Sequence, residues 1–165
     1  MHPNMTTKRI ILDNIRSAHN VGSIFRSSDG AGVEKIYLVG PTPTPVDRFG
    51  RPQPEIAKTS LGASESLQWE HVGDAGSESI QEALELILKL KKEGFTIVAV
   101  EQTPNSVSLY DFTVPEKVVY IMGAEVEGVH QELINVADMV LEIPMSGMKE
   151  SLNVSVTAGI VLFKK

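Results

Sequence analysis

Cysteine is absent from the sequence, so disulfides and thiolate metal sites are excluded together. The four histidines, His2, His19, His71 and His130, are scattered and lack the spacing of a ligand set, so no bound metal is expected. No apolar run reaches the roughly 18 residues that would suggest a membrane span. The opening Met1-His2-Pro3-Asn4-Met5-Thr6-Thr7 has no apolar signal-peptide core. A cytoplasmic protein with no membrane partner is the resulting expectation. What is present suits one folded domain over residues 1–165. A hydrophobic share of 42% against 22% charged residues excludes a disordered chain, and the length allows a full core.

Negative charge is in excess, but only beyond the first third of the chain. The net charge is −6; residues 1–60 hold eight Lys/Arg against five Asp/Glu, and residues 61–165 hold seven against sixteen. The acidic balance argues against broad nucleic-acid binding. The basic first third leaves room for a local anionic partner.

Short apolar runs alternate with helical patterns. Strands are expected at Arg9–Asp13, Lys35–Val39, Phe95–Val100, Val118–Met122 and Asp138–Ile143, with a weaker one at Leu67–Val72. Val21, Ile24, Phe25 and Ser28 share one helical face. Asn20 is the expected cap of a helix starting at Val21, and Gly30 and Gly32 end it. Gly22 lies four residues before Arg26, where the missing side chain leaves room for a ligand or a backbone to approach. A second helix from about Ser79 carries Ile80, Ala83, Leu84, Ile87 and Leu88 on one face and stops at Gly94. Residues 40–59 contain five of the nine prolines, so irregular structure is expected there, and a loop that long in a compact domain is commonly functional. The segment from Leu152 reads as a helix, because another parallel strand would need a further crossover. The sum is an alternating α/β domain with five or six mostly parallel strands.

Chemistry-bearing residues collect just after strands, where open parallel sheets bind ligands. Gln102 and Thr103 follow the strand that ends at Val100. Gly123-Ala124-Glu125-Val126-Glu127-Gly128 follows the strand that ends at Met122. It is neither a dinucleotide fingerprint nor a phosphate loop, and its carboxylates suit a cationic or hydroxyl-rich ligand. Ser151, Asn153 and Ser155 open an otherwise apolar segment, and polar groups at the mouth of a buried element must find partners or act.

Three stretches together resemble the SpoU/TrmH type of the SPOUT methyltransferase superfamily. Asn20-Val21-Gly22-Ser23-Ile24-Phe25-Arg26 fits N-x-G-x-x-x-R, and Gly123-Ala124-Glu125-Val126-Glu127-Gly128 fits G-x-E-x-x-G. Ile143-Pro144-Met145-Ser146-Gly147 with Ser151-Leu152-Asn153-Val154-Ser155-Val156 fits the long third motif. The resemblance spans about residues 9–163. It implies an α/β sheet flanked by helices with a deep C-terminal trefoil knot. It also implies S-adenosylmethionine as methyl donor, a ribose 2′-hydroxyl of tRNA or rRNA as acceptor, and a homodimer whose site draws on both subunits. By the same resemblance Thr103, Gly123, Ile143, Met145 and Leu152 match the cofactor pocket. Arg26 matches the catalytic arginine, with Asn20, Glu125, Ser151 and Asn153 as its companions.

An arginine stays protonated in proteins and is a poor base. We therefore read Arg26 as a clamp for RNA phosphate and for the developing alkoxide, although the family's usual proposal is a deprotonated arginine acting as base. The type commonly carries an added RNA-binding domain or basic extensions, and neither is visible in this sequence. Arg16, Arg48, Arg51 and Lys58 are then the expected RNA-facing cations, and an accessory protein that presents the RNA is a second route. The rival readings are methylation of a base nitrogen and a non-catalytic RNA-binding or assembly factor. The Ser-Leu-Asn-Val run argues for the ribose, and the intact Arg26, Asn20, Glu125, Ser151 and Asn153 argue for catalysis.

Overall fold

The computed structural model describes residues 5–74 and 79–165. The strands are β1 (Thr7–Asp13), β2 (Lys35–Val39), β3 (Gln68–Val72), β4 (Thr96–Val100), β5 (Val107–Ser108), β6 (Lys117–Gly123) and β7 (Met139–Glu142). The helices are α1 (Ala18–Gly30), α2 (Pro54–Ser60), α3 (Ala63–Ser66), α4 (Ser79–Lys92), α5 (Gln131–Val136) and α6 (Val154–Leu162). The strands form one sheet in the order β3-β2-β1-β6-β4-β7-β5, with every pairing parallel. The strand beyond the expected count is the two-residue β5, which only tops the edge of β7.

The period of two along each strand sorts the apolar residues onto two faces. Ile10, Leu12, Ile36, Leu38, Val98, Tyr120 and Met122 pack with Val21, Ile24 and Phe25 of α1 and with Ala158, Val161 and Leu162 of α6. Ile11, Tyr37, Val39, Ile97, Val119 and Ile121 pack with Ala83, Ile87 and Leu90 of α4 and with Leu133 of α5. The chain therefore leaves β7 on the far side of β4 and comes back to α1, where Lys8 Nζ donates to the Leu162 carbonyl at 2.8 Å. That return delivers the start of α6 to the C-terminal edge of the sheet. Among the described residues no helix is long and apolar enough to cross a membrane.

Two local readings of the sequence change. The α1 helix begins at Ala18, capped by Ser17, whose hydroxyl accepts from the Asn20 N–H at 3.2 Å. Asn20 lies inside the first turn and is not the cap, so its amide is free for a distant partner. The proline-rich stretch is also not irregular throughout. Gln53 caps α2, with Oε1 accepting from Glu55 N at 2.6 Å and Ile56 N at 3.3 Å, and Pro54 takes the first helical position. Proline is preorganised there, and its missing N–H costs nothing.

The α2 helix lies directly on α1, and Gly22 is what lets it approach. A Cβ built on Gly22 would lie 1.8 Å from Thr59 Oγ1, 3.0 Å from the Ile56 carbonyl oxygen and 3.1 Å from the Ile56 Cα. The room beside Gly22 is thus filled by this chain's own backbone. Thr59 can turn aside, but Ile56 cannot, so Gly22→Ala is expected to cost about 1–3 kcal/mol of stability, measured by urea unfolding. An unchanged midpoint would mean that α2 gives way freely.

Candidate functional site

A cleft of about 380 Å³ opens at the C-terminal ends of β4, β6 and β7. That size lies within the range of small-molecule sites. Thr103, Gly123, Ile143, Met145 and Leu152 all line it, as do Gln102, Glu125 and Ser151. Val100 and Met122 add apolar wall, and Glu101, Glu127 and Glu142 add carboxylates. Gln102 Nε2 donates to the Glu150 carbonyl at 2.7 Å, tying the β4 end to the loop that precedes α6.

Glu125 joins three distant parts of the chain at the lip of this cleft. Its Oε1 accepts from Asn20 Nδ2 at 3.0 Å and from Asn153 Nδ2 at 3.0 Å. Asn153 serves two roles at once. Its Oδ1 caps α6, accepting from Ser155 N at 2.8 Å and from the Ser155 hydroxyl at 2.6 Å, which turns its amide toward Glu125. A second cleft, of about 310 Å³, lies across the same loop and is lined by Ile15, Arg16, Ser17, Asn20 and residues 124–127. The segment 124–127 is the wall shared by the two clefts.

Further anchors of this loop were not singled out from the sequence. Asp13, only 1% exposed, accepts from His130 N at 2.9 Å and from His130 Nδ1 at 2.8 Å. Asn14, held in the left-handed region at φ 58°, donates from Nδ2 to Glu127 Oε2 at 3.1 Å. Glu101 Oε1 accepts from Val129 N at 2.8 Å. The available signal was positional: Asp13 and Glu101 close or follow buried strands, where a carboxylate has no packing reason to be. Together these contacts hold residues 124–130 from β1, β4, α1 and α6.

The cations are placed differently. Arg16 borders the second cleft. Arg26 is exposed, lines neither cleft and makes no ion pair among the described residues. Lys58 is exposed in the last turn of α2. Arg48 and Arg51 stand on the loop before α2, where Arg51 pairs with Asp47 at 2.7 Å. A single chain therefore brings Glu125 and Ser151 to the first cleft, ties Asn20 and Asn153 to Glu125, and leaves Arg26 outside both clefts.

A parallel α/β sheet with a ligand-sized cleft at its C-terminal edge, walled by a glycine-bounded acidic loop, defines a small-ligand-binding α/β protein. The particular family follows from comparison: the chain belongs to the SpoU rRNA Methylase family, which it matches over residues 7–163. It is 30% identical over 156 residues to the tRNA (guanosine(18)-2′-O)-methyltransferase of Aquifex aeolicus, covering 94% of this chain and 66% of that protein. It is 29% identical over 153 residues to the 23S rRNA (guanosine-2′-O-)-methyltransferase RlmB of Neisseria meningitidis, covering 93% of this chain and 55% of that protein. The chain thus spans between half and two thirds of these relatives. The crystal structure of the A. aeolicus TrmH/SpoU tRNA modifying enzyme superposes with a TM-score of 0.79 at 28% identity, covering 97% of this chain and 74% of that one. The AdoMet-bound rRNA methyltransferase of Sinorhizobium meliloti superposes with a TM-score of 0.78 at 27% identity, covering 99% of this chain and 57% of that one.

Proposed function

We propose that the chain is an S-adenosylmethionine-dependent methyltransferase that acts on a ribose 2′-hydroxyl of tRNA or rRNA. One observation carries this reading. Asn20, Glu125 and Asn153, far apart in sequence, converge on the lip of a cleft lined by Thr103, Gly123, Ile143, Met145 and Leu152. The activities of the relatives point the same way.

The lining suits S-adenosylmethionine by its chemistry. Val100, Met122, Ile143, Met145 and Leu152 offer apolar surface to an adenine and a thioether chain. Glu101, Glu125, Glu127 and Glu142 suit a ligand that carries a sulfonium, an ammonium and a ribose diol. When bound, the cofactor supplies a methyl carbon activated by a positive sulfur. The chain's own residues do the rest. Asn20 and Asn153 fix Glu125 and with it the wall between the two clefts. Arg26 holds an RNA phosphate, an oxygen of which takes the proton lost from the ribose hydroxyl, and its guanidinium stabilises the negative charge that develops on the ribose oxygen as the methyl group leaves sulfur.

A second copy of the chain fits this assignment, because Arg26 stands outside its own cleft. We place a homodimer contact on α6, where Val156, Ile160 and Phe163 are exposed. Arg26 of one copy then serves the cleft of the other, beside Arg16, Arg48, Arg51 and Lys58 as RNA-facing cations. The passage of the chain from β7 back to α1 is read as the threaded segment of a trefoil knot.

The test is transfer of labelled methyl from S-adenosylmethionine into total RNA, with and without cell extract, followed by alkaline hydrolysis. A 2′-O-methyl group removes the internal nucleophile, so label in alkali-resistant dinucleotides supports the ribose. Label on alkali-released mononucleotides would instead indicate a base nitrogen. Transfer only in extract would assign RNA presentation to an accessory protein. A folded chain that binds cofactor yet transfers nothing in either condition would overturn the catalytic reading.

A further inference from the structure

The loop between β2 and α2 displays a phenylalanine that neither core nor cleft uses. Phe49 is 66% exposed, whereas Phe25, Phe95 and Phe112 are 4% exposed or less. Two guanidinium groups flank its ring, with Arg48 Cζ 4.8 Å and Arg51 Cζ 5.0 Å from the centroid. Asp47 locks the turn beneath it. Its Oδ1 accepts from Phe49 N at 2.8 Å and from Arg51 N at 3.0 Å, and its Oδ2 accepts from Arg51 Nε at 2.7 Å. The main chain closes the same turn, through Asp47 N to the Arg51 carbonyl and Gly50 N to the Asp47 carbonyl, each at 2.9 Å. The Arg51 backbone N–H and guanidinium, with the Phe49 N–H, hold the Asp47 carboxyl below the usual carboxylate range, so the clasp stays charged near neutrality.

This tip is connected to the candidate site through α2. Val46 bridges Pro52, Gln53 N donates to the Pro45 carbonyl, and Gln53 caps α2. The Thr59 hydroxyl at the end of α2 sits between the Glu55 carbonyl at 2.8 Å and the carbonyl of His19, one residue before Asn20, at 3.2 Å. A turn whose Phe49 backbone and Arg51 guanidinium are already held by Asp47 loses little freedom on binding.

We propose that Arg48, Phe49 and Arg51 form a stacking platform for an unpaired nucleobase of the bound RNA. This rests on the reading of the chain as acting on RNA. The base takes the ring face that the Arg48 guanidinium covers, and stacking of that kind is tolerant of sequence. Arg48, which has no ion pair among the described residues, is available for the adjoining phosphate. The occupant is a single strand, because a paired base keeps its faces inside the helix.

The experiment is fluorescence anisotropy with a labelled RNA lacking internal pairing and with a matched duplex, on wild type, Phe49→Ala, Phe49→Leu and Phe49→Trp. Phe49→Ala is expected to weaken single-strand binding by about tenfold. Phe49→Leu should fall with it, since leucine restores apolarity but no π face, and Phe49→Trp should match or exceed wild type. Duplex binding and the calorimetric affinity for S-adenosylmethionine should not move, which also shows that the variants are folded. Wild-type affinity in the leucine or alanine variant overturns the platform while leaving the RNA reading intact. A wild-type chain that binds cofactor but neither RNA overturns both. Equal loss on single strand and duplex would assign Phe49 to loop structure and also overturn the platform.

Discussion

Replacing Arg26 with alanine is expected to lower methyl transfer by about 10²–10³-fold, the usual consequence of removing one donor from a developing oxyanion. Affinity for S-adenosylmethionine should stay within about twofold, because in the proposed role the residue acts on the transition state and not on cofactor binding. The geometry supports this separation. Arg26 lies six residues beyond Asn20 on α1, about 9 Å along the axis, and it lines neither cleft. Its loss removes no contact from the cofactor wall. Arg26→Lys separates clamp from base. A clamp keeps part of its effect with any cation but loses the two-pronged grip on phosphate, so the lysine variant should recover some rate, with a flat pH profile up to about pH 9, below the ordinary lysine pKa. A general base at this position would give the lysine variant a rate that climbs with pH as the amine loses its proton. Normal transfer by Arg26→Ala would remove the arginine from the mechanism altogether.

Much of this arrangement was legible in the sequence because it depends on local pattern. The apolar runs that became β1, β2, β4, β6 and β7 need only a period and a boundary, and Gln102, Thr103 and the loop after β6 follow from where those strands stop, whereas Ile143, Met145 and Leu152 were marked as pocket residues by the family resemblance alone. What could not be read are the consequences of chain return. Asn20 looks like a helix cap until Ser17 is seen to hold that place, and only the pairing of β6 beside β1 brings the Glu125 carboxylate to its amide. Gly22 advertised a close neighbour but not which one. The partner is α2, itself hidden in a stretch whose prolines suggest disorder more strongly than a helix start. Asp13 and His130 are separated by more than a hundred residues, and their pairing depends on β1 lying beside β6. Phe49 gave no signal at all, since an exposed aromatic is recognised only when a core exists for it to be outside.

Gly123→Ala is expected to be the most damaging single methyl group in the chain. Gly123 ends β6 opposite Asp13 of β1, where the loop carrying Glu125 and Glu127 turns back on itself. A Cβ at this position would lie 2.2 Å from the Gly128 carbonyl carbon, 2.2 Å from Val129 N and 2.5 Å from the Gly128 oxygen. All three atoms are main chain, so no side-chain rotation relieves the overlap. The returning strand of the loop would have to move outward. It is held in place by Glu101 at Val129, by Asp13 at His130, by Asn14 at Glu127, and by Asn20 and Asn153 at Glu125. Moving the loop by the required distance therefore breaks several of these bonds together. We expect a stability loss of about 3 kcal/mol or more in denaturant unfolding. Methyl transfer in the surviving folded fraction should fall about 10²-fold, because displacements near 1 Å suffice for that. Gly147→Ala is the matched control. It lies on the loop before α6, its Cβ would meet nothing within 4 Å, and its stability should stay within about 0.5 kcal/mol of wild type. If Gly123→Ala lost stability but bound S-adenosylmethionine normally, residues 124–129 would be a structural clasp and not a wall of the cofactor site. If it matched the Gly147 variant in both measurements, the close return of the loop onto β6 would be wrong.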